Sequence, residues 1–303
     1  MFVLVPVLAH ADTHNTAEPT NDVLLVRHIV VPEDRVYTHR FEYFIDLLQL
    51  ALTKSGQPFL LEAVPIPPVP TTRNIRYLKE GRFHVTWMHT DTAREEQVRP
   101  IRVPIFRGLI GWRLLMIHQD NAELFSSINS INTLKALKAG QGHDWPDTAI
   151  LKNHHFNVRT SYNWKGIYNL LQNKRIDYFP RGIIEIWDEI ERLEKHLIET
   201  NPNDNLNTII DNNIALNYPS AFYFFVANEN ELLAQALERG FLEAYKDGSF
   251  QQLFMAYFGE DIRRSKLINR TIYTLTNDAL PKDTPLHDKT LWFSPDEMFT
   301  APE

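Results

Sequence analysis

The chain alternates between short apolar runs and longer stretches in which apolar residues recur at helical spacing. In its first third, three runs are rich in aliphatic and aromatic residues and predict buried strands: Asp22–Val30 (DVLLVRHIV), 59–64 (FLLEAV) and 82–88 (RFHVTWM). An amphipathic helix is predicted between the first two, from apolar residues at helical spacing: Phe41, Phe44, Ile45, Leu48 and Leu52. This βαβ order predicts an α/β protein with mostly parallel sheets covered by helices.

A second set of elements begins near 108–117 (GLIGWRLLMI) and repeats the same alternation. The pattern predicts helices over 130–138, 145–152 and 162–175, a strand at 176–179 (IDYF), a charged amphipathic helix at 183–199 and an apolar strand at 221–227 (AFYFFVA). The 303 residues are more than one average domain needs, so the two sets of elements predict two lobes.

Composition excludes several classes of function. The net charge is −7 and no long basic run occurs, so the electrostatic pattern of a nucleic-acid-binding protein is missing. The chain has no cysteine, which excludes disulfides, thiolate metal sites and cysteine nucleophiles. We expect neither a cofactor nor a metal.

The N-terminal residues 1–11 (MFVLVPVLAHA) form an apolar stretch that ends in Ala9-His10-Ala11. A small residue, any residue and a second small residue are typical of a signal-peptidase site, so we expect an export signal and a periplasmic protein. The alternative is a frayed hydrophobic end. No other run is long enough to span a bilayer.

The segments 78–108, 170–179 and 218–259 together resemble one known family. The last contains Tyr218-Pro219, an apolar strand, the helix ELLAQALERGFLEAYKDGSF and a short helix that ends in AYFG. The first contains a strand followed by the segment Thr90-Asp91-Thr92-Ala93-Arg94. In this order they resemble the type II periplasmic solute-binding proteins, in the amino-acid-binding branch called family 3, over about 22–259.

The resemblance implies a fold and a function. It implies two α/β lobes joined by two crossing strands, with lobe 1 at 22–106 and 222–303, including a C-terminal extension from about 260, and lobe 2 at 107–221. It implies a monomer that closes on a small polar or anionic solute, amino-acid-like or related, for an ABC transporter permease or a membrane sensor. Two alternatives stay open: a periplasmic enzyme on the same fold, similar to cyclohexadienyl dehydratase, and a signalling adaptor with no transport role.

Candidate solute-binding residues of lobe 2 lie in two segments. Phe179 and Arg181 belong to a Phe-Pro-Arg-Gly sequence expected at a strand end, where Phe179 can stack and Arg181 can offer a forked donor to an anion. The alternative for Arg181 is an ion pair with Glu185, four residues on. The second segment is expected to be a glycine turn that opens a helix and binds an anion: Gly140, Gln141, Gly142, His143, Asp144 and Trp145.

Lobe 1 contributes candidates after its first and third strands. Tyr37 lies in the loop after the first strand and is a stacking candidate. Met88, His89 and Thr90 end the third strand, and Arg94 lies in the threonine-containing segment that follows them. The alternative for Arg94 is an exposed ion pair with Glu95 or Glu96 next to it.

The C-terminal tail extends beyond the region of resemblance. Ile272, Tyr273 and Leu275 predict an added strand, and the prolines that follow predict a surface wrap. We expect this tail to brace lobe 1; the alternative is that it docks a partner.

Cleavage after Ala11 is directly testable. Protein recovered from the periplasm should begin at Asp12, and its intact mass should be lower by the first eleven residues. Mass spectrometry measures both quantities, and recovery from the cytosol alone with Met1 retained would contradict the export signal.

Overall fold

A computed structural model describes residues 23–30, 38–67, 69–200 and 206–299, and these residues form two β-sheets covered by helices. The predicted export signal and Tyr37 lie outside the described residues. The strands are β1 (Leu24–Val30), β2 (Phe59–Pro65), β3 (Val85–His89), β4 (Arg99–Ile101), β5 (Trp112–His118), β6 (Lys138–Gly142), β7 (Asn157–Ser161), β8 (Tyr178–Gly182), β9 (Thr208–Asn217), β10 (Phe222–Val226) and β11 (Thr271–Thr274). The helices are α1 (Thr38–Lys54), α2 (Thr71–Lys79), α3 (Thr92–Glu95), α4 (Ala122–Ser126), α5 (Ile131–Ala136), α6 (Pro146–Asn153), α7 (Trp164–Gln172), α8 (Ile183–Thr200), α9 (Glu231–Lys246) and α10 (Ser249–Ser265).

The first sheet has the order β2-β1-β3-β10-β4, and the second has the order β11-β9-β5-β8-β6-β7. Both sheets are mixed, where the sequence predicted mostly parallel ones. The antiparallel pairs involve β10 in the first sheet and β5 in the second. β5 and β10 are the strands that follow the two short crossings between the sheets, and each runs antiparallel to both of its neighbours.

Two short segments, 102–111 and 218–221, carry the chain between the sheets. Arg107 and Gly108 in the first crossover both have positive φ, 50° and 72°. The crossovers touch, since Tyr218 N donates to Gly111 O at 3.2 Å and a Cβ on Gly111 would lie 2.0 Å from Tyr218 O. Glycine at 111 therefore allows two backbones to approach at the point where the lobes are joined.

The core of the first lobe is mainly aromatic. Tyr43 and Phe44 of α1 pack against Phe106, at ring-centroid distances of 5.9 Å and 5.4 Å, and Phe44 also packs against Trp87 of β3 at 4.6 Å. Tyr43 contacts Phe258 of α10 at 4.7 Å. Helices from both ends of the chain thus enclose the first sheet.

The C-terminal strand is present as predicted, but it lies in the second sheet. β11 runs parallel to β9, with Ile272 opposite Ala215 and Tyr273 opposite Leu216. Leu275, 3% exposed, belongs to the core of the second lobe. The expectation that the tail braces lobe 1 is wrong for this strand, because β11 supplies backbone partners to the edge of β9.

The segment Gly140–Gly142 belongs to a strand and not to the predicted glycine turn. β6 pairs in parallel with β7 and contacts β8, so tertiary pairing determines its conformation. A Cβ on Gly140 would lie 2.3 Å from the Ile176 side chain, and one on Gly142 would lie 2.3 Å from the Trp145 ring. Both glycines make room for apolar side chains.

Replacement of Gly240 should weaken the contact between α1 and α9. An added Cβ would lie 1.7 Å from Ala51 O, a backbone atom that cannot move alone. We expect Gly240→Ala to lower the free energy of unfolding by about 1–3 kcal/mol in chemical denaturation.

Gly259→Ala in α10 is the matched control, because the nearest atom to its Cβ would be the flexible end of Met255 at 3.3 Å, and its other contacts would be at ordinary van der Waals distances. The control should be neutral or gain up to about 1 kcal/mol from helix propensity. Equal stability of the two variants would contradict a tight helix contact at Gly240.

Candidate functional site

A cavity of about 420 Å³ lies between the two lobes, lined by residues from both of them. It brings together six residues that the sequence predicted as a site: His89, Thr90, Arg94, His143, Asp144 and Trp145. Neither lobe alone contains this set, so the cavity exists only where the two lobes meet. We call it the interlobe cavity.

The first lobe contributes the segment that follows β3. Asp91 caps α3, since its Oδ1 accepts a hydrogen bond from Arg94 N at 2.8 Å. The Arg94 guanidinium donates from Nη1 to His89 O at 2.7 Å, and its Nε lies 3.3 Å from Asp91 Oδ2. Arg94 therefore pairs with Asp91, whereas the sequence offered Glu95 or Glu96. Glu95 instead pairs with Arg102 at 2.6 Å.

The second lobe contributes the start of α6. The helix begins at Pro146, and its capping position is Trp145, which makes no side-chain cap. Asp144 and His143 are exposed, and the His143 ring lies 5.5 Å from Tyr162. This side of the interlobe cavity therefore presents both an acidic and a basic side chain to a solute.

Beneath the interlobe cavity lies a group of charged side chains that are at most 12% exposed. We call this group the buried ion cluster; its members are Arg40, Arg113, Asp147, Arg181, Glu185 and Glu189. Arg40 belongs to α1 beside the first sheet, and the others belong to the second lobe. The cluster therefore connects the two lobes.

Glu185 is the centre of the cluster. Its Oε2 lies 3.0 Å from Arg113 Nη1 and 3.2 Å from Arg181 Nη2, and it accepts from Gly182 N at 3.1 Å. Arg40 Nη1 lies 3.3 Å from its other oxygen. Burial alone would raise the pKa of Glu185, but the three guanidinium groups outweigh it and hold the pKa well below its ordinary value.

Arg181 lies inside this cluster, within β8. It is 4% exposed and forms a two-pronged ion pair with Glu189, from Nε at 2.7 Å and Nη2 at 2.5 Å. The ion pair with Glu185, which the sequence offered as the alternative, is present. The guanidinium lies 4.8 Å from the Trp145 ring, behind the wall of the cavity.

The other predicted residues do not line the interlobe cavity. Met88 is 6% exposed and lies in the core of the first lobe, opposite Tyr223. Phe179 is 1% exposed and stacks on Trp145 at 6.2 Å, so a ring of the protein occupies the face expected for a solute. Gly140, Gln141 and Gly142 are buried within β6.

Several cavity residues were missed by the sequence analysis: Lys152, Ser220, Asn277 and Leu280. Lys152 lies on α6, two helical turns beyond Trp145, and helical spacing alone could have placed it there. Ser220 lies in the second crossover. Asn277 and Leu280 follow β11. No local sequence pattern could have predicted that the segment after this strand crosses the cleft between the lobes.

His89 lies between the interlobe cavity and the buried ion cluster. Burial lowers the pKa of His89 to about 4, although Asp147 and Glu185 oppose this shift; Arg113 and Arg94 add to it. The imidazole is therefore neutral at physiological pH, and it can accept or donate one hydrogen bond without adding charge to the cavity.

Two kinds of feature are absent from the part of the chain that the structure describes. It contains no cluster of three or more metal-ligating side chains that could hold a metal ion. It also contains no helix that is long and apolar enough to cross a membrane.

Solved structures share this fold. The probable amino-acid ABC transporter extracellular-binding protein ytmK from Bacillus subtilis aligns with a TM-score of 0.54 and 14% identity, over 79% of this chain and all of its own. A histidine kinase sensor domain with similarity to periplasmic binding proteins aligns at 0.49 and 13%, over 78% and 96% of the two chains. An ancestral arginine-binding protein bound to arginine aligns at 0.47 and 18%, over 78% and 98%.

No protein-family model and no curated protein matches the sequence. The first of these structural alignments supports the two-lobe α/β fold of the periplasmic binding proteins, and with it the fold predicted from the sequence. At such identities the similarity concerns the fold alone.

Removal of the Glu185 charge should destabilise the protein strongly. Glu185→Gln leaves three arginines around a neutral side chain, and breaking a buried ion pair from one side costs about 3–5 kcal/mol. The matched control is Glu191→Gln on the same helix, where a 65% exposed carboxylate lies 3.6 Å from Arg264. The control should change the free energy of unfolding by less than about 1 kcal/mol.

The difference between wild type and Glu185→Gln should depend on pH. Because the folded-state pKa is lowered, the contribution of Glu185 is complete above its ordinary pKa of 4.5 and disappears as the pH falls towards the folded value. Denaturation at pH 7 and at acidic pH measures this, and a constant difference would contradict the assigned role.

Proposed function

We propose that this chain, which has the two-lobe fold of the periplasmic binding proteins, is a receptor that holds a small anionic or zwitterionic solute in the interlobe cavity. The observation that carries the proposal is the position of the cavity, which both lobes and the C-terminal segment line. A volume of about 420 Å³ is within the range of small-molecule sites.

The charges around the cavity favour a solute that carries an anionic group. A guanidinium has five N–H donors. The contacts of Arg94 engage Nη1 and Nε, and its Nη2 has no protein partner within the described part of the chain. Lys152 of the second lobe lines the same cavity, so cations from both lobes can meet one anionic group.

The same cavity also suits a cationic group. Asp144 is exposed at the cavity wall of the second lobe, and Asp91 lies on the opposite side beside Arg94. Trp145, Ala149 and Leu280 supply apolar surface between these charges. A solute with one carboxylate, one ammonium group and a short apolar part, such as an amino acid, would match this arrangement.

Closure of the lobes would bury such a solute. The crossovers 102–111 and 218–221 are the short covalent links between the sheets, and the longer segment 227–270 joins β10 to β11. Few backbone angles need to change in the short crossovers for a rigid-body hinge motion. Because water is excluded as the lobes close, the bond between a guanidinium and a carboxylate is strengthened.

The partner of such a receptor would be a membrane protein. The similar structure from Bacillus subtilis is described as a probable amino-acid ABC transporter extracellular-binding protein. We extend this to a role in which the loaded chain delivers its solute to an ABC importer or reports it to a membrane sensor, outside the cytoplasm.

Arg94 is the residue whose loss should affect binding most. A charge-assisted hydrogen bond contributes about 1.5–3 kcal/mol, so Arg94→Ala should weaken binding roughly ten- to a hundredfold. Arg94→Lys should restore part of the affinity, because lysine has the positive charge but not the two parallel N–H donors of the guanidinium. A panel of amino acids and small carboxylates, screened by thermal shift and measured by calorimetry, supplies the probe.

Arg175→Ala is the control, because Arg175 is exposed and does not line the cavity. This variant should bind the probe as wild type does. Wild-type affinity in Arg94→Ala would remove Arg94 from the site, and a panel with no binder would contradict a receptor for this class of solute. Conversion of a bound probe into a product would indicate an enzyme instead.

A further inference from the structure

The C-terminal segment is fixed first to the second lobe. Arg270, 7% exposed, donates from Nε to Ser265 O at 2.6 Å and from Nη1 to Ile214 O at 3.2 Å in β9. β11 then pairs with β9, and Leu275 N donates to Asn217 O at 2.8 Å. One end of the segment is therefore part of the second sheet.

The segment then crosses the interlobe cavity. The amide of Asn277 joins two pieces of backbone, since Nδ2 donates to Pro219 O at 2.9 Å and Oδ1 accepts from Ala279 N at 3.2 Å. Asn277, Ala279 and Leu280 all line the cavity, and Leu280 is half-buried against a hydrophobic core cluster that contains residues of both lobes. The second crossover thus holds the segment in place at the cavity.

The far end of the segment is fixed to the first crossover. Phe293 N donates to Arg107 O at 2.7 Å. The Trp292 ring lies against Gly108, where a Cβ would come within 2.5 Å of it. Arg107, 5% exposed, donates to Glu297 Oε2 at 2.6 Å and Oε1 at 3.0 Å.

We propose that residues 276–299, the C-terminal strap, form a third wall of the solute site and control access to it, with Leu280 limiting the size of the solute. The inference rests on the proposed function for the identity of the site. The path of the strap is determined by the contacts at its two ends. Because one end is fixed to the second sheet and the other to the first crossover, the strap must span the cavity between them.

The ion pair of Arg107 with Glu297 is the charged contact that holds the far end. Its two hydrogen bonds are charge-assisted, and Arg107 is nearly inaccessible to water. Asp283, by contrast, is 82% exposed and lies 3.5 Å from Arg102, a contact of little strength. Glu297→Gln should therefore weaken the attachment of the far end and make opening of the strap more frequent, while both cores stay intact.

Access can be measured without knowing the solute, because the chain contains no cysteine. Ser220, 6% exposed, lines the cavity, so Ser220→Cys places a single thiol there. Thr90→Cys, at a residue 7% exposed, is a second position in case the first variant does not fold. Ser126→Cys, at an exposed residue of α4, is the reference for an unprotected thiol.

The rate of reaction with a soluble thiol reagent is the measurement. With the strap intact, the cavity thiol should react far more slowly than the reference thiol. Adding Glu297→Gln should accelerate the cavity thiol about tenfold, since the amide oxygen of glutamine can keep one hydrogen bond and the loss of one charge-assisted bond shifts the opening equilibrium by about that factor. Leu280→Ala should accelerate it too, and neither change should alter the reference thiol.

Glu260→Gln is the matched control, because Glu260 is 65% exposed and pairs with Arg263 in its own helix. It should leave the cavity thiol at the wild-type rate. The proposal is overturned if Glu297→Gln and Leu280→Ala leave that rate unchanged, or if the cavity thiol already reacts as fast as the reference.

The two proposals can fail separately. If no amino acid or carboxylate raises the melting temperature of the wild-type protein, the proposed receptor function is refuted. The thiol reaction rates still test the role of the strap in that case. If a probe binds wild type, Leu280→Ala should shift its selectivity towards larger amino acids; unchanged selectivity with unchanged thiol rates would refute the strap alone.

Discussion

The carboxylate of Glu185 is the point on which the arrangement of the two lobes depends. A carboxylate so far from water is unstable unless cations surround it, and Arg40, Arg113 and Arg181 provide them from three different elements. Since Arg40 belongs to α1 and the others to the second sheet, this requirement fixes how the lobes meet. The buried ion cluster is the floor of the interlobe cavity, so its geometry also determines the surroundings of the neutral His89 above it.

The cluster also explains why a charged cavity can lie over a charged floor. Arg113 pairs with Asp147 at 2.6 Å as well as with Glu185, so the floor neutralises itself. The side chains around the cavity, Arg94 and Lys152 among them, do not have to compensate the floor. Cluster residues thus stabilise the fold, and cavity residues remain available to a solute.

Much of the fold was predictable where a strand consists mostly of aliphatic and aromatic residues, as in β1, β3 and β10. β9 was missed because Asp211 and two asparagines interrupt it at the point where the register with β5 shifts. β6 was missed because its sequence, Lys-Ala-Gly-Gln-Gly, is typical of a turn, and only its neighbours make it a strand.

The site was predictable to the extent that fold position determines it. His89 and Arg94 lie where a strand end was expected, and His143 and Trp145 lie where a helix start was expected. Arg181 shows the limit, because the sequence cannot show that Glu189, two turns along α8, reaches the same guanidinium. The position of Leu280 was equally hidden, since it depends on which edge β11 joins.

The route of the C-terminal segment also affects the order in which the molecule can be completed. β10 inserts between β3 and β4 of the first sheet, although the strands β5 to β9 of the second sheet separate β10 from β4 in sequence. The far wall of the cavity comes from still later residues. During synthesis, β5 to β9 of the second sheet become available before either the first sheet or the cavity is complete. A nascent chain lacking these last residues has no complete pocket, so ligand binding cannot assist the early stages of folding.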